Sequence, residues 1–160
     1  MGKTQHISIR DAQAPDADEL AALIYSTSLA CCFSADQPCP AWYKESVDVA
    51  HIAQLLNDEK MVWLVATQDN LIAGVLAIRE RCHIKYYFVA PSFQNRGIGK
   101  RLWQAAHQQG VFGESVTVRS SLNAVTVYER LGFVTTEPPN IFNGLHYQAM
   151  VMELPSPQKN

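Results

Sequence analysis

The sequence lacks the features that assign many chains to a broad class at once. No apolar run approaches the roughly 20 residues that a helix needs to cross a bilayer, and residues 1–10 are polar. Basic residues are not in excess, because 13 Lys and Arg face 15 Asp and Glu. General binding to nucleic acids or membrane surfaces needs such an excess. We therefore expect a cytoplasmic protein without a nucleic-acid or membrane partner.

Cysteines are few, and their spacing does not suit a zinc site. The four cysteines are Cys31, Cys32, Cys39 and Cys82. Structural zinc sites use paired Cys-x2-Cys or a matching His spacing, whereas Cys31 and Cys32 are adjacent and no second pair follows. We expect buried, reduced thiols and no metal.

Length and composition predict one domain. The chain has 160 residues, of which 48% are hydrophobic and 18% charged. A chain of this size buries roughly 70% of its unfolded surface, so it needs no disulfide. We expect a single domain over residues 1–160, with an ordered core over about 5–154 and a disordered tail from Pro155.

The periodicity of apolar residues predicts an α+β fold. Helical spacing indicates four helices, over residues 15–32, 42–57, 97–109 and 123–131. Alternating or β-branched runs indicate strands over residues 6–10, 61–67, 71–78, 82–89, 115–119, 133–136 and 147–154. The segment between the last two strands is rich in Pro, Asn and Gly and is expected to be a loop.

A glycine-rich segment opens the predicted third helix. Gly97 and Gly99 lie in its first turn, where each glycine costs about 1 kcal/mol against alanine. The first-turn N–H groups have no partner within a helix, and the helix dipole favours an anion there. Arg96, Lys100 and Arg101 add positive charge at the same end. The segment therefore predicts a phosphate or pyrophosphate site, unless it is only a tight start of the helix.

Two familiar nucleotide motifs do not fit this segment. A P-loop would need Gly at position 94 and Ser or Thr at position 101, where the chain has Gln94 and Arg101. A dinucleotide fingerprint would need a third glycine at Leu102 and an acidic residue near Arg119. A nucleotide-binding protein is therefore a weak alternative.

Two motifs together resemble a known family. Gln94-x-x-Gly97-x-Gly99, after a strand that ends at Val89, resembles the coenzyme A signature of the GCN5-related N-acetyltransferases (GNAT). The run Asn123-Ala124-x-x-x-Tyr128-Glu129-Arg130-Leu131-Gly132-Phe133 is similar to the second half of that signature. The resemblance covers about residues 7–154. It implies an α/β/α sandwich with about four helices, a mostly antiparallel mixed sheet of about six or seven strands, and splayed strands at the coenzyme A site.

The resemblance also implies acetyl-CoA as co-substrate and a set of residues that bind it. The backbone of Tyr87, Phe88 and Val89 would bind the pantetheine arm. The pyrophosphate would lie on the loop and first turn formed by Gln94, Asn95, Arg96, Gly97, Ile98, Gly99 and Lys100. Asn123 would contact the pantetheine or a bound water, and Tyr128 would donate a proton to the departing thiolate.

The sequence offers two candidates for the general base. Some members carry a glutamate eleven residues before the loop glutamine, and His83 occupies that position here. Histidine suits the role because its unperturbed pKa lies near neutrality. Glu80 could act instead through a water. Simple alternation predicts that His83, Lys85 and Tyr87 share one face of their strand.

The family's usual reaction is direct attack of an amine on the thioester. The acceptor region would include Phe33, Trp42, Tyr43, Asn143, His146 and Tyr147, which are aromatic and carry little charge. This favours a small primary amine as acceptor. Acetylation of a protein lysine or N-terminus and a non-catalytic acyl-CoA-binding module are the alternatives, and Tyr128 favours an enzyme over the latter. A homodimer is possible.

Overall fold

A computed structural model describes residues 6–154 of the chain. The predictions for residues 1–5 and for the tail from Pro155 lie outside this range. Five α-helices are described: α1 (Ala17–Cys31), α2 (Ala41–Ser46), α3 (Val49–Leu56), α4 (Ile98–Gln108) and α5 (Val125–Leu131). Eight strands are described: β1 (Ser8–Asp11), β2 (Met61–Gln68), β3 (Leu71–Arg79), β4 (His83–Val89), β5 (Ser115–Ser120), β6 (Val134–Thr135), β7 (Asn140–Phe142) and β8 (Leu145–Glu153). None of these helices is long and apolar enough to cross a membrane.

The strands form an open mixed sheet. Their order is β1-β2-β3-β4-β5-β8-β6, and β7 pairs with β8. Every pairing is antiparallel except that of β4 with β5, which is parallel. The predicted α+β class and the mostly antiparallel mixed sheet are confirmed, with one strand and one helix more than expected.

Helices cover both faces of the sheet and give two apolar cores. One core holds Leu102 of α4, Tyr128 of α5 and Ile78 of β3. The other holds Leu20 of α1 and Ile52 of α3. Burial of these side chains removes apolar surface from water on both faces, which is the main driving force for the layered arrangement.

Helix α4 lies close against the sheet, and this contact fixes the position of its first turn. A side chain at Gly74 of β3 would place its Cβ 3.2 Å from Leu102 Cδ1 and 3.1 Å from the carbonyl oxygen of Phe88. The absence of a side chain at Gly74 therefore lets α4 lie directly on β3 and β4. The start of α4 consequently lies beside the end of β4.

Two predicted elements were wrong. The single helix expected over residues 42–57 is two helices, because the chain leaves the helical path at Val47 and Asp48 starts α3 by accepting a hydrogen bond from the His51 N–H at 2.9 Å. The segment expected to be a loop contains β7. Asn143 and Gly144 both have positive φ (46° and 88°) and join β7 to β8 in a tight turn. An Asn-Gly pair is a strong hairpin signal in the sequence.

Candidate active site

The candidate site is a cavity where β4 and β5 separate. The two strands pair only at His83 with Thr117 and at Ile84 with Val118. Beyond these pairs β4 continues along β3 and β5 continues along β8, so a gap opens between them. This gap is the splay that the family resemblance implies. A cavity of about 440 Å³ lies at the gap.

The wall of the cavity is largely aromatic, and the ionisable side chains that residues 6–154 contribute to it, apart from tyrosine and cysteine, are basic or imidazole groups. The aromatic residues are Phe33, Trp42, Tyr43, Tyr86, Tyr87, Phe88, Tyr128, Phe142 and Tyr147. The ionisable nitrogen groups are His83, Lys85, Arg119 and His146. Of the six residues that the sequence assigns to the acceptor region, all but Asn143 line this wall. The Asn143 carbonyl instead accepts a hydrogen bond from Trp42 Nε1 at 2.7 Å, which ties α2 to the β7–β8 hairpin across the cavity.

The glycine loop has the conformation of an anion cradle. Asn95 and Gly97 both adopt positive φ (66° and 77°), and α4 begins at Ile98. The first intrahelical bond runs from the Arg101 N–H to the Gly97 carbonyl at 3.1 Å, so the preceding N–H groups of the turn have no intrahelical partner. A Cβ at Gly97 would meet no atom within 4 Å. The open space above bare backbone at a helix start fits a phosphate group.

Gln94 and Asn123 both bind the end of α1. Gln94 Nε2 donates to the carbonyl oxygen of Val89 at 3.0 Å and lies 3.6 Å from Cys31 Sγ. Asn123 Nδ2 donates to the Cys31 carbonyl oxygen at 3.0 Å. Val89 ends β4, and Asn123 follows β5, so the C-terminus of α1 is attached to both sides of the gap. The two amides hold the site together here, a role the motif alone does not predict.

Tyr128 is buried at the inner end of the cavity. Its exposed fraction is 7%, and its ring packs edge-on against Tyr87 (6.1 Å between centroids) and Phe133 (5.4 Å). Burial, and to a lesser degree the neighbouring Tyr87, raises the pKa of Tyr128 well above the ordinary phenol value. The hydroxyl group therefore stays protonated at neutral pH and can donate a hydrogen bond into the cavity.

Tyr87 supports the glycine loop through its side chain. Its hydroxyl group donates to the carbonyl oxygen of Gly99, and its ring stacks on Trp103 with the centroids 6.3 Å apart. A Cβ at Gly99 would lie 3.6 Å from the same hydroxyl oxygen, which is ordinary contact. Tyr87 thereby fixes the first turn of α4 to β4.

His83 lies in the first of the two residue pairs that join β4 to β5. Its Nδ1 is 2.8 Å from Thr117 Oγ1, and its ring lines the cavity. Burial first, and then the charges of Lys85, Arg119 and Arg79, lower the pKa of His83 below its usual 6.5. The imidazole is therefore neutral at physiological pH and has a nitrogen available to take a proton.

The expectation that His83 and Tyr87 share a face of β4 was wrong. The register skips Lys85, because Ala77 of β3 pairs with Tyr86 while the next residue, Ile78, pairs with Ile84. Ile84 and Tyr87 both pack on the α4 side of the sheet. His83, the neighbour of Ile84, therefore points to the opposite side. A bulge of one extra residue has this effect because side chains alternate strictly along a strand.

Glu80 is not brought to the cavity. It lies in the β3–β4 turn with a φ of 53°, and its Oε1 is 3.8 Å from Lys60 Nζ. It is absent from the residues that line the wall. The structure therefore places both His83 and Tyr128 on the cavity wall and leaves Glu80 outside it.

Sequence reasoning missed two cations of the wall. Lys85 and Arg119 both line the cavity, yet each looks like an ordinary polar residue of a strand. The available signal was alternation: Thr117 and Arg119 share the exposed face of β5, and Thr117 contacts His83. The bulge at Lys85 could not be foreseen.

The cysteines do not form the buried set that the sequence suggested. All four are free thiols, of which Cys31, Cys32 and Cys39 are half-buried and Cys82 is exposed. Cys32 lies on the cavity wall, where burial raises the pKa of its thiol. Within residues 6–154, no three His, Cys, Asp or Glu side chains are grouped so that they could hold a metal ion.

Comparison with known proteins adds a family match. Residues 30–154 match the family model of an acetyltransferase (GNAT) domain. Peptidyl-lysine N-acetyltransferase YiaC of Escherichia coli (strain K12) is 27% identical over 92 residues, which is 58% of this chain. The match spans only 61% of the length of that relative.

Solved structures share the fold over nearly the whole chain. A GCN5-related N-acetyltransferase from Rhodopseudomonas palustris has a TM-score of 0.76 at 23% identity, with 96% of this chain and 100% of that chain covered. The PaiA N-acetyltransferase of Thermoplasma acidophilum, in complex with coenzyme A, has a TM-score of 0.73 at 16% identity, with coverages of 93% and 99%. At such identities the likeness concerns the fold alone.

Proposed function

Because the chain belongs to the GNAT family of acetyltransferases, and is therefore an acyltransferase, we propose that it transfers an acetyl group from acetyl-CoA to the primary amine of a small molecule. The observation that carries the proposal is the arrangement around the gap between β4 and β5. The glycine loop lies at one end of β4, and the aromatic cavity opens beside the same strand. Tyr128 and His83 both reach that cavity.

The residues around the gap fit coenzyme A. The N–H groups at the start of α4, with Asn95, Arg96, Gly97, Ile98, Gly99 and Lys100, would hold the pyrophosphate. The space above Gly97 and the positive φ values of the loop support this assignment. The unpaired edge of β4 at Tyr87, Phe88 and Val89 would hold the pantetheine arm by backbone hydrogen bonds, as an added strand does. When bound, acetyl-CoA supplies a thioester whose carbonyl carbon accepts the amine and whose sulfur leaves.

His83 is the proposed general base. A protonated amine must lose a proton before or during attack, and a neutral imidazole on the cavity wall can take it. Thr117 Oγ1 lies 2.8 Å from Nδ1 and orients the ring, which leaves Nε2 for the substrate. Burial first, and then the positive charges of Lys85, Arg119 and Arg79, lower the pKa of His83, so the ring is neutral at physiological pH.

Tyr128 is the proposed donor to the sulfur. Its raised pKa makes complete proton transfer to a thiolate less favourable than from an ordinary phenol. Hydrogen-bond donation does not need complete transfer, and a preorganised donor in a dry site stabilises charge that develops on a leaving group. Tyr128 therefore acts first as a hydrogen-bond donor.

The shape of the cavity favours a small acceptor. The hydrogen bond from Trp42 Nε1 to the Asn143 carbonyl and the edge-on packing of Trp42 on Phe142 (5.7 Å between centroids) join α2 to the β7–β8 hairpin. A peptide would need an open groove, whereas this contact bounds the cavity on one side. The likeness to a peptidyl-lysine N-acetyltransferase supports protein lysine as a second candidate acceptor.

Calorimetric titration with acetyl-CoA, with ATP and NAD as controls, tests the co-substrate. We expect saturable binding of acetyl-CoA alone. A preference for ATP or NAD contradicts the proposal. Release of free thiol is then followed with small amines and with lysine peptides in separate reactions. Thiol release with small amines supports the first acceptor class, and release with peptides only supports the second. Binding without release under any condition identifies a non-catalytic module.

A further inference from the structure

We infer that the acceptor amine also carries a carboxylate, which the cations of the cavity wall bind. The inference rests on the proposed function, because it concerns the second substrate of the same site. Its basis is a group of three basic side chains, Arg79, Lys85 and Arg119, which we call the basic cluster. Arg79 is the last residue of β3, Lys85 lies at the bulge of β4, and Arg119 is the penultimate residue of β5.

Pairing along the sheet brings the basic cluster together. Arg79 pairs across the sheet with His83, and His83 pairs with Thr117 of β5, two residues before Arg119. Lys85 and Arg119 themselves line the cavity. The charges of Arg79 and Arg119 lower the pKa of Lys85, after the larger effect of burial, which is what mutual proximity produces.

No carboxylate of residues 6–154 compensates the basic cluster. The ion pairs of this part of the chain join Arg10 to Asp16, Lys60 to Glu80 and His51 to Asp48, and none of them includes a member of the cluster. Among the described residues, no Asp or Glu lines the cavity wall. Arg79 Nε is buried and has no hydrogen-bond partner. Like charges grouped without a counter-ion are unfavourable, so a ligand anion would relieve a cost that the free protein bears.

Contacts with aromatic rings leave the cations available to a ligand. The Arg119 guanidinium lies 5.0 Å from the centroid of the Tyr147 ring, and Lys85 Nζ lies 5.8 Å from that of Tyr86. Stacking of this kind positions a guanidinium while its N–H groups remain free to bind a carboxylate in a bidentate manner.

The placement of His83 explains why the acceptor would carry both an amine and a carboxylate. His83 is next to the basic cluster and at the edge of the gap between β4 and β5. A carboxylate on Lys85 and Arg119 would hold the amine of the same molecule near the imidazole. The aromatic wall, including Trp42 and Tyr147, would receive an apolar side chain. Amino acids have this chemistry, whereas a polycationic amine would be repelled by the cluster.

Matched acceptors test the inference. The probes are amino acids, the corresponding amino acid amides, the decarboxylated amines and spermidine, each compared by kcat/KM for thiol release. We expect that the best acceptor is an amino acid and that it exceeds its amide by at least about tenfold, as one lost charge-assisted contact would give. Lys85→Gln and Arg119→Gln should each reduce this ratio towards unity. Lys60→Gln is the control, because Lys60 is an exposed basic residue directly before β2 and lies outside the cavity wall.

Two results overturn the inference. One is an equal or better kcat/KM for the amides or for spermidine, and the other is an unchanged ratio in both cavity variants. If the wild-type protein does not bind acetyl-CoA, the proposed function is refuted instead. Should no acceptor release thiol, calorimetry of N-acetylphenylalanine and its amide, each with coenzyme A present, gives a second measure. The inference then requires that N-acetylphenylalanine binds and that Arg119→Gln weakens its binding. Equal binding of the acid and the amide, or binding of neither, contradicts the inference.

Discussion

Two glycines at opposite ends of α4 allow a controlled test of the phosphate cradle. Gly97 precedes the helix with a φ of +77°, and Gly110 follows it with a φ of +66°. A Cβ at either position would meet no atom within 4 Å. The two sites therefore impose the same backbone strain and offer the same open space. Only Gly97 lies at the N-terminus, where backbone N–H groups can bind an anion.

The structural cost of substitution should be equal at the two sites. A side chain in the left-handed region costs about 1–2 kcal/mol. In a chain of this size that cost lowers the melting temperature by roughly 2–8 °C. Gly97→Trp and Gly110→Trp should both fold and should show similar losses in a thermal melt.

The effect on affinity for coenzyme A should differ sharply between the two variants. A Trp side chain at position 97 would occupy the space over the first turn of α4. Losing two hydrogen bonds to a charged phosphate, at about 1.5–3 kcal/mol each, weakens binding by about 10²–10⁴-fold. Calorimetry with coenzyme A measures this directly, and Gly110→Trp should bind within about threefold of the wild type. The cradle assignment is refuted if both variants bind with unchanged affinity, or if both weaken equally.

Three further predictions concern the cavity. Tyr128→Phe should lower kcat by about 10²–10⁴-fold with little change in the Kd for coenzyme A, and an unchanged kcat in a thiol-release assay would exclude Tyr128 as the donor. The kcat of the wild type should be constant at neutral pH and fall only below pH 6.5, because His83 acts in its neutral form and its pKa is lowered. His83→Gln should lose this acidic limb, and an identical pH profile would assign the base elsewhere. Trp42→Phe should lose the hydrogen bond to the Asn143 carbonyl and destabilise the fold by about 0.5–1.5 kcal/mol. It should also raise KM for the acceptor but not for acetyl-CoA. Equal effects on both KM values would count against a role of Trp42 in bounding the acceptor site.

The sequence was most informative where the signal is local. The start of α4 could be predicted because Gly97, Gly99 and the following apolar spacing all lie within one helical turn or two. The signals for β4, which precedes α4, and for the turn at the end of α4 were equally local. Asn143-Gly144 was a local signal too, and β7 was missed only because proline and asparagine nearby favoured a loop.

Features that depend on pairing between distant segments could not be read from the chain. Neither Gly nor Pro marks the break between α2 and α3, where Val47 is buried with an exposed fraction of 2% and Asp48 caps α3. The basic cluster requires β3, β4 and β5 to be adjacent, and Arg79 and Arg119 are 40 positions apart in the sequence. Nor does the motif indicate that Asn123 binds the Cys31 carbonyl, since α1 lies 92 residues away from it.

The bulge at Lys85 directs side chains of β4 towards both of the proposed substrate sites. Without it, strict alternation would put His83 and Tyr87 on the same face of β4. The extra residue instead directs Tyr87 to the α4 side, where its hydroxyl group binds Gly99 and fixes the glycine loop. His83 keeps the opposite side, where it contacts Thr117 beside the basic cluster. Tyr87, proposed to hold the co-substrate, and His83, proposed to act on the acceptor, are thereby only four residues apart on the same strand, beside the gap to β5.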